Sequence, residues 1–501
     1  MLMTVFINSN WNSGNTIINT IDLDDSDADI DWRHYPTANI ELSDSLQFTK
    51  SGTYHLTGSL ADGSVTIKAG IEGVIRLILD NVDIHNSNGP AICCLSGDDL
   101  VIELVGQNKL SDGENYNSVY DNDIDGAIYS KADLTFTGDG SLDLDAKYQD
   151  GIVSKDDLKI YSGTYNISAR DDGIRGKDSI YILNGSFIVS AMADAIKVTN
   201  EIDQGKGFIL IKDGSFKLTS EAKGIKATNN ILIEDGKYII ETNDDAIHSD
   251  NYIGISGGNI NITAGDDGIH ANRKLSINNG QIIVAKAYEG LEAQIVTIDG
   301  GEMRLVTTDD GINTGGGADE SANNRPGANL FDGDEDCVLS INGGDIYINS
   351  SGDGIDSNGW LYFNGGQIIV DGPTSNINGA LDAGMGIVMN GGKVFAIGTS
   401  GMAESLGSSS SVNNISIFLS SAYPAKTKIS IKDSSGDTLI EHSSIKAFDH
   451  IAFGDNSLTL GKQYTLYLND VEAKTFTLSE ITTIVGNDTS RPPLRMMLNN
   501  R

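Results

Sequence analysis

Three observations in the 501-residue sequence predict an all-β chain: a right-handed parallel β-helix with coils of about 22 residues, followed by a small antiparallel β domain. An acidic phrase ending in a small residue and an aliphatic one returns at a near-constant step. Two short alternating stretches separate its copies, and glycine is abundant (58) while proline is scarce (7). The phrase reads QDGIVSKDD (149–157), RDDGIRGKD (170–178), MADAIKVTN (192–200), NDDAIHSDN (243–251), GDDGIHANR (265–273), YEGLEAQ (288–294), TDDGINTG (308–315) and SGDGIDSNG (351–359). Its aliphatic anchors are Ile152, Ile174, Ile196, Ile225, Ile247, Ile269, Leu291, Ile312 and Ile355, in steps of 22, 22, 29, 22, 22, 22, 21 and 43. A period near 22 is that of a solenoid coil. Ile128 extends the register upstream and Leu381 extends it downstream.

Between the phrases, LKIYSGTYNISA, IGISGGNINITA and LYFNGGQIIVDG alternate apolar and polar residues around a glycine turn. Period-two alternation rich in β-branched residues is strand. The leucine and asparagine frame of a leucine-rich repeat is missing. Each coil therefore reads as three short strands, and some eleven or twelve coils are expected. Corners at positive φ account for the glycines, and the loss of a ladder hydrogen bond at each proline accounts for their scarcity.

The remaining elements follow in order. Residues 1–32 form a polar, Asp-rich arm, and the solenoid is expected over 33–400. The 29-residue step adds a short loop at 199–207; the 43-residue step adds a glycine-rich acidic insertion at 315–336. A Ser/Gly linker (401–412) precedes hairpin-like text at 413–484, read as a small β-sandwich or cap, and 485–501 is expected to be disordered.

Seventy acids against 34 bases leave a net charge of −36. Such a chain repels phosphate and anionic lipid, so nucleic acid is excluded and cations are the implied partners. No stretch reaches the roughly 20 apolar residues of a membrane helix. The opening MLMTVFINSN lacks the basic region and cleavage site of a complete secretory signal. Cys93, Cys94 and Cys337 suit neither a disulfide framework nor a zinc site. A monomer is expected.

In a solenoid, equivalent residues of successive coils stack, so an acid at a fixed place becomes a column. The phrase supplies Asp150, Asp171, Asp172, Asp194, Asp244, Asp245, Asp266, Asp267, Asp309, Asp310 and Asp353, with Glu289 in the YEGLEA coil. Carboxylates about 5 Å apart repel and suit Ca²⁺, which takes six to eight oxygen ligands; their other use is to bond corner amides. The residue after each anchor stacks too: Val153, Arg175, Lys197, Lys226, His248, His270, Glu292, Asn313, Asp356 and Asp382. Its sign changes along the chain. The cations and histidines are candidate ligand-binding groups, and ion pairing can replace metal among them. Further on, Asp309, Asp310, Asp353, Asp356 and Asp382, with Glu289, Glu292 and Asn313, are the strongest calcium candidates. DNDIDGAI (121–128) matches the start of an EF-hand loop, but Ala132 stands where the bidentate glutamate belongs. Trp360 could stack a sugar ring or serve as a core or rim tryptophan, and His248 and His270, one coil apart, could share a proton or a transition metal or stand as a solvated ladder pair.

The ordered DDGI series with its SKDDL, RGKD and YEGLEA variants, then GDGIDSNG and NGALDAG, resembles the clostridial-type carbohydrate-binding β-helix proteins over about residues 35–400. Those proteins bind acidic plant polysaccharide and cellulose, and the fold is similar to family 9 pectate lyases. There, a DDGxD-type cluster holds calcium and a lysine abstracts a uronate proton. Here the matching phrase is Asp353-Gly354-Ile355-Asp356, Gly352 replaces the first paired acid, and Lys393 is two coils away. The resemblance implies calcium-dependent, non-catalytic binding of polygalacturonate, or of cellulose, at a bacterial surface or outside the cell. The alternatives are a calcium-dependent pectate lyase and a structural surface adhesin.

Overall fold

The computed structural model describes residues 32–117, 123–315 and 334–487. Most of the expected arm and acidic insertion, and the tail from 488, lie outside them. Among the described residues the only helix is the 3-10 turn Trp32–His34. The chain is an all-β solenoid of about 14 turns plus a small antiparallel sheet. The strands before the first phrase, such as Gly52–Leu60 and Val74–His85, pair in parallel as the first coils, within the span expected for the solenoid. The chain divides into two compact units, 1–231 and 232–501, described in turn.

From Asp99 onward the coils of the first unit have the three predicted strands, as in Ile174–Gly176, Ser179–Ile182 and Ser186–Ala191. The anchors stack in register, Ile128 on Ile152, Ile152 on Ile174, Ile174 on Ile196 and Ile196 on Ile225, all fully buried. The third strand alternates exposed and buried residues, so its apolar side chains fill the coil while its polar ones face water. At one inward position, aromatic rings form a ladder. Tyr165 lies 4.9 Å from Phe187, and Phe187 lies 4.8 Å from Phe216, with the ring planes nearly parallel. That spacing is the strand spacing itself, so stacking and backbone pairing reinforce each other.

The second unit continues the pattern with Ile247 on Ile269, Ile269 on Leu291, Leu291 on Ile312, Ile312 on Ile355 and Ile355 on Leu381. The 43-residue step thus leaves the ladder intact. Glycine has two separate duties. Gly280 sits at a corner with φ of 115°, as expected. The glycine of the phrase is needed for close approach instead: a Cβ on Gly311 would strike the Gly354 carbonyl and the Ile348 side chain of the next coil.

The solenoid ends in an antiparallel pairing. Lys393–Gly398 runs against Phe448–Asp455, which pairs in turn with Asn414–Tyr423. A separate sheet of Lys428–Asp433, Thr438–Ser443, Gln463–Leu468 and Val471–Thr477 is antiparallel throughout. Phe395, Ile397, Ile415, Ile429, Phe453 and Leu466 share one buried cluster, so the hairpins pack directly on the last coil.

Candidate functional site

The acid two places before the anchor lies at a corner, buried in most coils and half-buried at Asp353, and uses its two oxygens differently. In the first unit, Oδ1 of Asp150 accepts the Asp172 N–H (2.9 Å), Oδ1 of Asp172 accepts that of Asp194 (3.1 Å), and Oδ1 of Asp194 accepts that of Lys223 (2.9 Å). The second unit repeats this from Asp245 to Asp267 (3.0 Å), Asp267 to Glu289 (3.1 Å), Asp310 to Asp353 (2.6 Å) and Asp353 to Gly379. One oxygen ties a coil to the next. The other still carries charge and needs a counter-ion.

In the first unit the following column supplies it. Arg175 reaches Asp150 Oδ2 at 2.6 Å and Asp125 Oδ2 at 2.5 Å, while Lys197 reaches Asp172 at 3.2 Å and Asp194 at 2.8 Å. Burial alone would lower the pKa values of Arg175 and Lys197, but the acids more than reverse it and both are raised. Burial still pushes Asp150 up to about 7 against the pull of Arg175. Arg175 and Lys197, read from sequence as ligand-binding groups, are therefore occupied as internal counter-ions. Lys226 stacks on Lys197 and is half-buried. In the EF-hand-like string, Asp125 is held by Arg175 and by Lys155 (3.7 Å), and Asp123 by Lys131 (3.4 Å), so cations stand where a calcium turn was considered. Asp121 lies outside the described residues.

In the second unit the same column holds imidazoles and then only acids and an amide. His248 stacks on His270, His270 on Glu292, Glu292 on Asn313, Asn313 on Asp356 and Asp356 on Asp382. His248 Nδ1 bonds Asp245 at 2.8 Å and its Nε2 bonds Asp250 at 3.0 Å. Asp310, Asp353, Asp356, Asp382 and Glu404 then gather with no ion pair among the described residues. Burial, followed by the charges of Asp356, Glu289 and Asp309, pushes Asp310 up to about 9. Burial and Asp310 push Asp353 up to about 8; burial and Asp382 do the same for Glu404. Asp356 is raised well above the carboxylate range, first by burial and then by the charges of Asp353 and Asp382. Asp382 is raised by burial.

The donor set fits a hard cation. Every group is an oxygen ligand, and Asn313 Oδ1 is buried without a hydrogen-bond partner while its Nδ2 bonds Glu289 Oε2 at 2.9 Å. Gly352 matters here too: a Cβ would collide with Asp309 Oδ1 and Asp310 Oδ1, so the missing acid leaves room for the carboxylates of the preceding coil. Asp171, Asp244, Asp266 and Asp309, the first acids of their pairs, stand nearer solvent beside the column.

Glu404 was not anticipated, because it lies past the last recognisable phrase. It follows Asp382 by one 22-residue step, which is the signal that could have found it. Lys393 is held by Asp455 (3.1 Å) and the Leu439 carbonyl (3.0 Å). Trp360 begins the strand after Asp356, half-buried and stacked on Tyr362 with ring centres 6.0 Å apart. Both rings point away from the core, in which Leu361 and Phe363 are buried.

A family-wide sequence profile described as carbohydrate-binding domain-containing protein matches residues 43–290 and 229–322. A protein so described from Acetivibrio thermocellus is 34% identical over 128 residues, 25% of this chain and 45% of the relative. The chain thus spans less than half the length of that relative. A solved structure, the polysaccharide lyase-like protein from C. thermocellum, aligns at 26% identity over 45% of this chain and 92% of its own, with a TM-score of 0.39.

Proposed function

The chain belongs to the carbohydrate-binding domain-containing proteins, and from that premise we propose that it binds acidic polysaccharide through calcium held on the Asp310, Asp353, Asp356, Asp382 and Glu404 cluster. The observation that carries this reading is that, among the described residues, none makes an ion pair to those five acids, whereas Arg175 and Lys197 supply one in the first unit. Glu289 and Asn313 complete an oxygen-only set. A calcium ion there satisfies the inward carboxylates and offers its outer positions to a uronate carboxylate, joining an acidic protein to an acidic chain that it would otherwise repel. Trp360 and Tyr362, on the next strand of the same coil, give a sugar ring an apolar face. Polygalacturonate is the proposed ligand, with cellulose second because the cluster's calcium has no carboxylate to bridge on a neutral chain. An extracellular or cell-surface location follows, since calcium is abundant there.

The test is affinity electrophoresis through polygalacturonate with calcium or with EDTA. Retardation that requires calcium supports the proposal, and equal retardation in EDTA removes the bridging role. Absorbance from unsaturated product in the same mixture would instead favour a lyase.

A further inference from the structure

The buried histidines differ from the oxygen cluster in one respect that points to a different ion. His270 is only 2% exposed, and its Nδ1 has no hydrogen-bond partner. That nitrogen nevertheless faces three carboxylates from three successive coils: Asp267 at 3.4 Å, Glu292 at 3.5 Å and Asp245 at 3.7 Å. These separations are too long for hydrogen bonds. They match the edge of a coordination tetrahedron instead, since ligand atoms bound at about 2.1 Å lie about 3.4 Å apart. The Asp267, His270 and Glu292 ligand atoms fall within 4.8 Å of one another, as do those of Asp245, His248 and His270.

We propose that His270 Nδ1, Asp267, Glu292 and Asp245 form a binding site for a divalent transition ion of the zinc type, separate from the calcium cluster. Imidazole nitrogen is a poor ligand for calcium and a good one for zinc, so one nitrogen among three oxygens changes the preferred metal. His248 orients the site from outside, since its 2.8 Å bond to Asp245 fixes that carboxylate and its other nitrogen is anchored by Asp250. The site follows from the ladder. A residue type changed at one repeat position is surrounded by acids from its own coil and from both neighbours.

The competing role for His270 is that of a cation that pairs internally, as Arg175 and Lys197 do. The two are separated by adding Co²⁺ to the full chain, stripped of metal, in buffer with millimolar calcium. One equivalent giving the intense visible bands of four-coordinate cobalt, displaced by Zn²⁺, is the expected result. His270→Gln and Glu292→Gln should each weaken zinc binding at least about tenfold, with unchanged circular dichroism. Asp356→Asn should leave it unchanged. No cobalt bands, or His270→Gln binding zinc as tightly as the parent, overturns the site. Because zinc titration involves no polysaccharide, its outcome is independent of the proposed sugar binding.

Discussion

Residues 125–197 and 289–404 use one corner geometry and end with opposite electrostatics. In both, Oδ1 of a buried acid holds the next coil's N–H. In the first, Arg175 and Lys197 return the remaining charge to balance; in the second, Asp356 and Asp382 occupy the same repeat position and add to the excess. The structural role of an acid is thus set by the corner, while its capacity to take a ligand is set by the residue three places on. A column of aspartates alone does not mark a binding site.

Four measurements bear on this contrast. The largest effect is expected from Asp356→Asn with Asp382→Asn, which should cut calcium-dependent polygalacturonate affinity by at least about a hundredfold. Asp172→Asn, an acid of the balanced column, should leave that affinity unchanged, and loss in both variants by affinity electrophoresis would erase the distinction. Next, Arg175→Met strands Asp125 and Asp150 without their cation and should cost about 3 kcal/mol in urea unfolding. That cost should be the same with calcium or chelator, because no ion is proposed there.

The third is a pH effect in the unbalanced cluster. Asp310 and Asp353 have folded pKa values of about 9 and about 8, above their unfolded values. The folded state therefore holds protons that the unfolded state has lost. Their contribution to stability is fully present below the unfolded carboxylate pKa and declines as pH rises to the folded values. In EDTA the melting temperature should fall by several degrees between pH 5 and pH 9. Calcium should close most of that gap, and a flat profile in EDTA would mean that the cluster is already compensated. The smallest effect belongs to Trp360→Ala, which should weaken sugar binding about fivefold, in keeping with one stacked ring, and leave calcium affinity unaltered by calorimetry.

The fold was legible because its determinants are periodic. Ile152, Ile174 and Ile196 are recognisable by spacing, and their spacing is their register. The change of sign from Arg175 to Asp382 could be read from the same steps. What could not be read depends on three-dimensional vacancy rather than repetition. Gly352 looks like a defect in the phrase until the Asp309 and Asp310 carboxylates are seen to occupy its space. The position of His270 Nδ1, without a hydrogen bond and facing three carboxylates, depends on a ring orientation that no spacing encodes. Glu404 keeps the period after its phrase has gone, so a search by wording stops one coil too early.

The antiparallel pairing of Lys393–Gly398 with Phe448–Asp455 has a consequence for assembly. A solenoid's terminal strand is a template whose exposed N–H and C=O groups would accept a first coil from another molecule, and repetition of that contact builds a fibre. A partner strand of reversed direction consumes this edge and presents the wrong polarity for a parallel copy. On this face the ladder is therefore terminated by direction, and the strand Lys393–Gly398 offers no further rung to a parallel copy.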